Sequence, residues 1–447
     1  MLVSQETRTS KGNSLVQAPE TPKLHYAWIV AAITFIILLT TAGIRATPGV
    51  LIIPLERAFH WNRAEVSAAV SINLLFYGLC GPFAAAIMDR FGVRRVVVSV
   101  LLIITVSISL TTRITAIWQL YLLWGVVVGI STGATAQVLG AMIANRWFVH
   151  RRGLIVGLLS ASNASGQLIF LPILASLVVT FGWRAAPWTV ASVALVLILP
   201  VLLLMRDRPG DMGLRPYGAS EMEVATTPPA NPFGAAFRGL ALGLRSPDFR
   251  LLAGSFFICG LSTNGLIGTH LIPASMEHGI AEVTAAGMLA VIGFFDIIGT
   301  TASGWLSDRV DNRKLLCWYY GLRGLSLLAL PYALGSSFLP MAAFIVFYGL
   351  DWVATVPPTV RLTADCFGKQ NVGVMYGWIV ASHQLGSATA AYGAGVVRTW
   401  LGSYQVSFLT AGLFCLLASG MVIRIGRAAS SSGRTTHFQP VASPALS

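Results

Sequence analysis

Polar and apolar positions along this 447-residue chain alternate on the scale of helices, not strands. Apolar windows of about 20 residues recur from Tyr26 to Arg427, and roughly twelve are long enough to cross a ~30 Å hydrocarbon layer as helices. The short alternating segments of a membrane β-barrel are absent. The longest polar interval runs from Asp207 to Asp248 and contains DRPGDMGLRPYG and TTPPANP. Its prolines, glycines and charges mark a linker. The expected organisation is a tail at 1–25, a first set of helices at 26–206, a linker at 207–248, a second set at 249–427 and a tail at 428–447.

The run VIGFFDIIGTTASGWLSDR, Val291 to Arg309, shows how polar residues are placed within such a window. Its aspartates, Asp296 and Asp308, would lie roughly 18 Å apart on a helix. One belongs at a membrane face and the other deep in the span.

Composition fixes the class. The hydrophobic fraction is 55% and the charged fraction 11%, with a mean hydropathy of +0.72; soluble domains carry about 25% charge. The net charge of +13 gains its meaning from position. Lys and Arg number roughly 22 in the loops on the side of the termini and about 5 on the other side, while Arg45, Arg323 and Arg361 fall inside spans. This positive-inside pattern puts both termini in the cytoplasm, and no compact soluble region remains to bind nucleic acid. Residues 1–25 lead into the first span without a small-residue cleavage site, so that span reads as an uncleaved anchor. The five cysteines, Cys80, Cys259, Cys317, Cys366 and Cys415, form no CxxC pair and read as packing residues. The sequence shows no metal cluster, nucleophile triad or phosphate loop, so no enzyme, cofactor or metal is expected.

An internal repeat divides the chain. MDRFGVRRVV from Met88 and SDRVDNRKLL from Ser307 stand 219 residues apart, and GLIVGLLSASNASG from Gly153 aligns with GVMYGWIVASHQLG from Gly373 at an offset of 220. Parallel repeats of six helices point to a transporter architecture. The doubled loop, DRFGVRR and DRVDNRK, resembles the D-R-x-G-R-R motif of the major facilitator superfamily, although Ala85 stands where the motif begins with Gly and Asp311 replaces the second loop glycine. The resemblance implies an all-α membrane protein of twelve transmembrane helices in two pseudo-symmetric six-helix halves, the major facilitator fold. It also implies an inner-side gate formed by Asp89, Arg90, Gly92, Arg94 and Arg95 with Asp308, Arg309 and Arg313. The alternative is solvated loop charges that only orient the chain.

Within the superfamily, HYAWIVA at His25, TPGVLIIPLERAFHW as a turn at Thr47, NRWFVHRRGLIVG at Asn145 and FFD in the eighth helix are similar to the monocarboxylate and oxalate/formate branch. That resemblance implies small organic anions, often moved with protons. It matches Asp296 to an acid of the eighth helix, with Thr300 where the family has an arginine. Pro48 and Gly49 stand where the family's first helix has Pro-Lys, and Arg45 lies one turn away on the same face. His383 falls near the lysine that pairs with the anion in oxalate transporters.

A charged group near the bilayer centre costs at least about 2.5 kcal/mol, so each one needs an explanation. Asp296 and Asp351 are candidate proton-coupling acids. Arg45, placed in the outer part of the first helix, and His383, Asn163 and Asn264 are candidate substrate ligands, and Arg323 is a candidate intramembrane ion-pair partner. Each has a structural alternative. Arg323 can pair with either acid for packing alone, Arg45 can reach outer headgroups, and His383 and the asparagines can make interhelical hydrogen bonds. Arg361 fits a snorkelling or gate role. Gly125, Gly129 and Gly133, Gly153 with Gly157, and Gly373 with Gly377 predict smooth faces on which helices approach closely and slide. Pro48, Pro172, Pro273, Pro357 and Pro358 are candidate bends.

The expectation is a secondary transporter of a small organic anion, coupled to protons through alternating access, working as a monomer in the bacterial inner membrane. Export of drugs or other amphipathic or neutral solutes is the alternative in a different substrate class, and a non-transporting membrane sensor is a third reading. A cavity dominated by aromatics without a cation would favour export.

Overall fold

The computed structural model describes residues 25–135, 137–219, 232–335, 338–368 and 371–426, with a few side chains inside helices outside the description. Twelve long helices account for most of them. The first half comprises α1 (Tyr26–Phe59), α2 (Arg63–Phe91), α3 (Val93–Thr111), α4 (Ile117–Trp147), α5 (Arg152–Phe181) and α6 (Ala185–Leu204). The second comprises α7 (Pro247–Glu277), α8 (Glu282–Ser307), α9 (Asn312–Leu334), α10 (Leu339–Phe367), α11 (Val372–Leu401) and α12 (Gln405–Val422). Among the described residues, nine of the twelve are apolar enough to cross a membrane on that ground alone. The others, α5, α9 and α11, are 30, 23 and 30 residues long. Arg323 of α9 and Gln384 and Ser387 of α11 are buried against other helices, where lipid-like hydropathy is not required.

Packing repeats the sequence symmetry. In the first half α1 lies on α5, α2 on α4 and α3 on α6; in the second α7 lies on α11, α8 on α10 and α9 on α12. The halves meet through α2 against α11 and α5 against α8, pairs that exchange when the halves are exchanged.

The symmetry also runs through the first two helices of each half at the 219 offset. Gly49 corresponds to Gly268 and Pro54 to Pro273. The α1–α2 turn has His60 at φ 58°, and its counterpart Gly279 in the α7–α8 turn is at φ 81°. Two residues on, Asn62 and Ala281 are the N-caps of α2 and α8. Asn62 makes a reciprocal cap with Glu65, which satisfies two end N–H groups of α2.

Two expectations are corrected. The segment read as a turn at Thr47 is helical from Pro48 to Phe59, because Pro48 takes a first-turn position that needs no donor. The first span is therefore 34 residues long, and Arg45 lies near its middle instead of in its outer part. The glycine faces also divide. Gly125, Gly129 and Gly133 seat α4 directly on α2, where a Cβ at Gly129 would meet the Asn73 carbonyl at 2.8 Å. A Cβ at Gly157, Gly373 or Gly377 would meet nothing within 4 Å, so those faces are open; the surroundings of Gly153 lie outside the described residues.

At the end opposite the termini the halves are fastened. Arg63 of α2 bonds Glu56 at 2.5 Å, reaches Glu277 of α7 at 3.4 Å and donates to the Tyr404 hydroxyl, while Arg398 of α11 holds Glu277 at 2.7 Å. The terminus-bearing end holds the open glycine faces of α5 and α11. There the linker helix Pro232–Arg245 touches both halves: Phe237 lies between Phe83 of α2 and Trp378 of α11, and Trp378 Nε1 donates to the Ala236 carbonyl at 2.8 Å.

Candidate functional site

On the seam between α1 and α7 a small cleft of about 40 Å³ is lined by residues including Arg45, Gly49, Asn73, Asn264, Gly268 and Thr269. Both helices are irregular here. In α1 the helix is interrupted at Thr47, ahead of Pro48; in α7, residues Leu261–Ile267 form a π-helical stretch, which inserts an extra residue per turn and rotates Asn264 relative to a regular helix. Arg45 Nη1 donates to the Tyr77 hydroxyl at 2.8 Å and its guanidinium lies 5.0 Å from the Tyr77 ring centre. Tyr77 of α2 thus fixes the direction of the cation. Asn73, one turn before Tyr77, ties α2 to α4 by donating to the Trp124 carbonyl at 2.8 Å. No aromatic residue lines the cleft among the described residues.

The second half holds its charges differently. Pro357 and Pro358 lack N–H groups, so the carbonyls one turn earlier cannot be used in a continuous helix, and α10 breaks between Asp351 and Val356. Side chains from neighbouring helices satisfy the break. Arg323 of α9, 1% exposed, bonds Asp351 Oδ2 at 2.6 Å and donates to the Asp351 and Trp352 carbonyls at 2.5 and 3.2 Å. Ser303 of α8 donates to the Ala354 carbonyl at 2.5 Å. Asp296 of α8, 6% exposed, accepts the Val353 amide at 3.0 Å and the Thr300 hydroxyl at 2.7 Å, both on Oδ1. Thr300 therefore fills the arginine's place as a hydrogen-bond donor. Among the described residues Asp296 forms no ion pair, and its Oδ2 makes no hydrogen bond.

Arg323 also donates to Cys259 Sγ of α7 at 2.9 Å, and Thr355 lies 3.3 Å from the same sulfur. His383 of α11 lies against Phe256 with ring centres 4.9 Å apart and the rings tilted by 49°, and its Nδ1 is buried with no hydrogen-bond partner among the described residues. The structure therefore brings Arg45 and Asn264 together on the cleft; Asp296, Arg323, Asp351 and His383 do not line it. The Asn163 side chain lies outside the described residues. His270, 0% exposed, is fully used: Nε2 bonds the Ala391 carbonyl at 2.8 Å and Nδ1 the Tyr404 hydroxyl at 3.1 Å.

In the loop motif, Gly92 adopts φ 85° between α2 and α3, and a Cβ there would meet the Asp207 carboxylate. Asp207 accepts the Arg94 amide at 2.8 Å, and Arg94 also reaches the Leu202 carbonyl of α6. Arg90 lies 5.5 Å from the ring centre of Phe91. The Asp89 side chain lies outside the described residues, and the Arg95 side chain makes no hydrogen bond or ion pair among them. In the second copy Asp308 faces Arg361 at 3.8 Å, Arg309 lies over Trp305 at 4.2 Å and donates to its carbonyl, and Arg313 pairs with Asp311 at 3.0 Å. The Arg313 hydrogen bond holds the Asp311 carboxyl below its ordinary range.

Sequence reasoning missed Tyr77, the Arg63 network and Asp207. Tyr77 looks like one more aromatic of an apolar span, and its only signal is that the 219 offset makes it the counterpart of Asp296. The same offset makes Asn264 the counterpart of Arg45.

A helical bundle of two repeated halves enclosing a cleft on their common seam is the architecture of a secondary carrier. The chain belongs to the Major Facilitator Superfamily, which it matches over residues 33–390 and again over 252–445. It is 26% identical over 374 residues to the uncharacterized MFS-type transporter YcxA of Bacillus subtilis (strain 168), covering 83% of this chain and 88% of that one. It is 28% identical to monocarboxylate transporter 11 of Mus musculus over 421 residues, 91% and 89% of the two chains, and 26% identical to monocarboxylate transporter 13 of Bos taurus over 430 residues, 96% of each. Solved structures with the same fold include a D-xylose-proton symporter (TM-score 0.71, 14% identity, covering 90% of this chain and 98% of that one). Another is an inward-facing, unoccupied bacterial homolog of the human lysosomal transporter Spinster (TM-score 0.70, 15% identity, 92% and 98%). The chain is a multi-pass membrane transporter of a small solute, not an enzyme.

Proposed function

We propose that the chain carries a small organic anion together with a proton across the bacterial inner membrane, as a monomer with both termini cytoplasmic. The observation that carries this reading is Arg45: a guanidinium at mid-helix, aimed by Tyr77, bordering a seam cleft without aromatics. A carboxylate is the chemistry that a fixed guanidinium favours in a low-dielectric site. The names of the monocarboxylate transporter relatives support the same class, and the aromatic-free cleft disfavours amphipathic drugs.

Charge counting supplies the coupling. In the empty carrier, Arg323 and Asp351 cancel as a pair, and Arg45 is balanced by Asp296. An arriving carboxylate adds one negative charge to the interior, and a proton on Asp296 restores neutrality, which favours reorientation through the bilayer. Asp296 can take that proton on Oδ2 and keep both bonds on Oδ1. The fastened outer end and the open glycine faces at the other end correspond to an inward-facing state under this orientation. The loop motifs, with Asp207 and Arg361 beside them, are the moving parts of the inner gate.

The reading is tested by uptake of a panel of labelled carboxylates into proteoliposomes with an imposed pH gradient. Saturable, gradient-driven accumulation that Arg45→Gln lowers about 100-fold is expected. Uptake that ignores this substitution removes Arg45 from the anion site.

A further inference from the structure

We propose that Asn264 sets the charge of the cargo: as the uncharged counterpart of Arg45, it admits an anion with one carboxylate and turns away an anion with two. The inference rests on the anion reading above and adds the residue that determines its substrate class.

The register is independent of that reading. An offset of 219 pairs Arg45 with Asn264, Gly49 with Gly268 and Pro54 with Pro273, and it continues without a gap through the turn residues His60 and Gly279. The paired glycines also oppose each other in space: a Cβ on Gly49 would meet the Gly268 carbonyl at 3.4 Å. Arg45 and Asn264 each lie four residues before their glycine, one helical turn away. They border the same cleft from the two halves.

The two positions differ in what holds them. Arg45 is oriented by Tyr77. The Asn264 backbone carbonyl accepts from Thr269 at 2.9 Å, while its carboxamide makes no hydrogen bond among the described residues and is exposed to the cleft. The π-helical stretch places it there. A carboxamide N–H can donate to a hydroxyl, a carbonyl or a neutral acid, yet it supplies no counter-charge. A second carboxylate facing it would be a charge in a low-dielectric site without a partner, which is strongly disfavoured. A dianion would also leave the interior negative after Asp296 is protonated.

The test compares chain-matched pairs, butyrate with succinate and propionate with malonate, as labelled substrates in proteoliposomes of wild type, Asn264→Ala, Asn264→Lys and Asn264→His. Wild type and Asn264→Ala are expected to prefer the monocarboxylate, since neither has a cation at 264. Asn264→Lys is expected to shift the ratio toward the dicarboxylate by about tenfold. Asn264→His provides the control within one folded protein: a shift relative to wild type at about pH 6 and none at about pH 8, as the imidazole loses its charge. Unchanged ratios in the Lys and His variants with monocarboxylate uptake intact overturn the assignment of Asn264 and leave the anion reading standing. Failure of wild type to take up any member saturably removes both.

Discussion

Arg45 and Arg323 are both intramembrane arginines, and their surroundings separate a site from a staple. Arg323 is enclosed by Asp351, two backbone carbonyls and a cysteine sulfur, all at the break that Pro357 and Pro358 impose on α10. Arg45 is oriented by Tyr77 and borders the cleft. Depth in the bilayer does not distinguish them; bordering the cleft does. A cation consumed by the fold stabilises it, whereas one directed at a cleft can bind a cargo.

The largest effect that can break this contrast is on folding. Replacing only Arg323 by Leu, or only Asp351 by Asn, strands a buried charge and should destabilise the protein by about 3–5 kcal/mol. Thermal unfolding in detergent would show it, and the double replacement should recover much of the loss. Equal melting of single and double variants would mean that the pair is not a staple. Next, Arg45→Gln should lower carboxylate uptake about 100-fold, the scale of a lost charged contact of 2–3 kcal/mol, with little change in melting.

Asp296→Asn should remove accumulation driven by a pH gradient and spare exchange of internal for external substrate. This substitution keeps an oxygen acceptor for Val353 and Thr300, so a loss confined to coupling distinguishes proton transfer from support of the α10 break. Arg63→Gln, which loosens the fastened end, should change the rate of uptake a few-fold. Its structural readout is greater labelling of a cysteine introduced at Ser67, which packs beneath Gly395 of α11. The smallest effect concerns Asp311, whose carboxyl is held low by Arg313. That pairing stabilises the fold above the ordinary carboxylate pKa of about 3.9 and is lost as pH falls through the lower folded value. Because the pair is solvent-facing, Asp311→Asn should alter melting only slightly near neutral pH and reduce its fall under acid.

The span pattern was legible from hydropathy because lipid-facing helices must be apolar throughout. The loop repeat was legible because its letters recur. The repeat in α1 and α7 was not, since only Gly49, Pro54 and their counterparts keep their chemistry while Arg45 becomes Asn264 and Tyr77 becomes Asp296. Asp296, Arg323 and Asp351 stood out as costly charges, but their common task at the α10 break depends on contacts among three helices. The Arg63 network was hidden for the same reason: its members are ordinary helix-end charges until the fold brings α1, α2, α7, α11 and α12 together.

The central claim is that each anion crosses with a neutralising proton. It is tested most directly by trapping a pH-sensitive dye inside proteoliposomes and adding a transported carboxylate outside, with protein-free liposomes as the reference. The account predicts interior acidification in step with uptake, unaffected by an imposed membrane potential and absent in Asp296→Asn. Saturable uptake without acidification, or uptake that follows the potential, would contradict it.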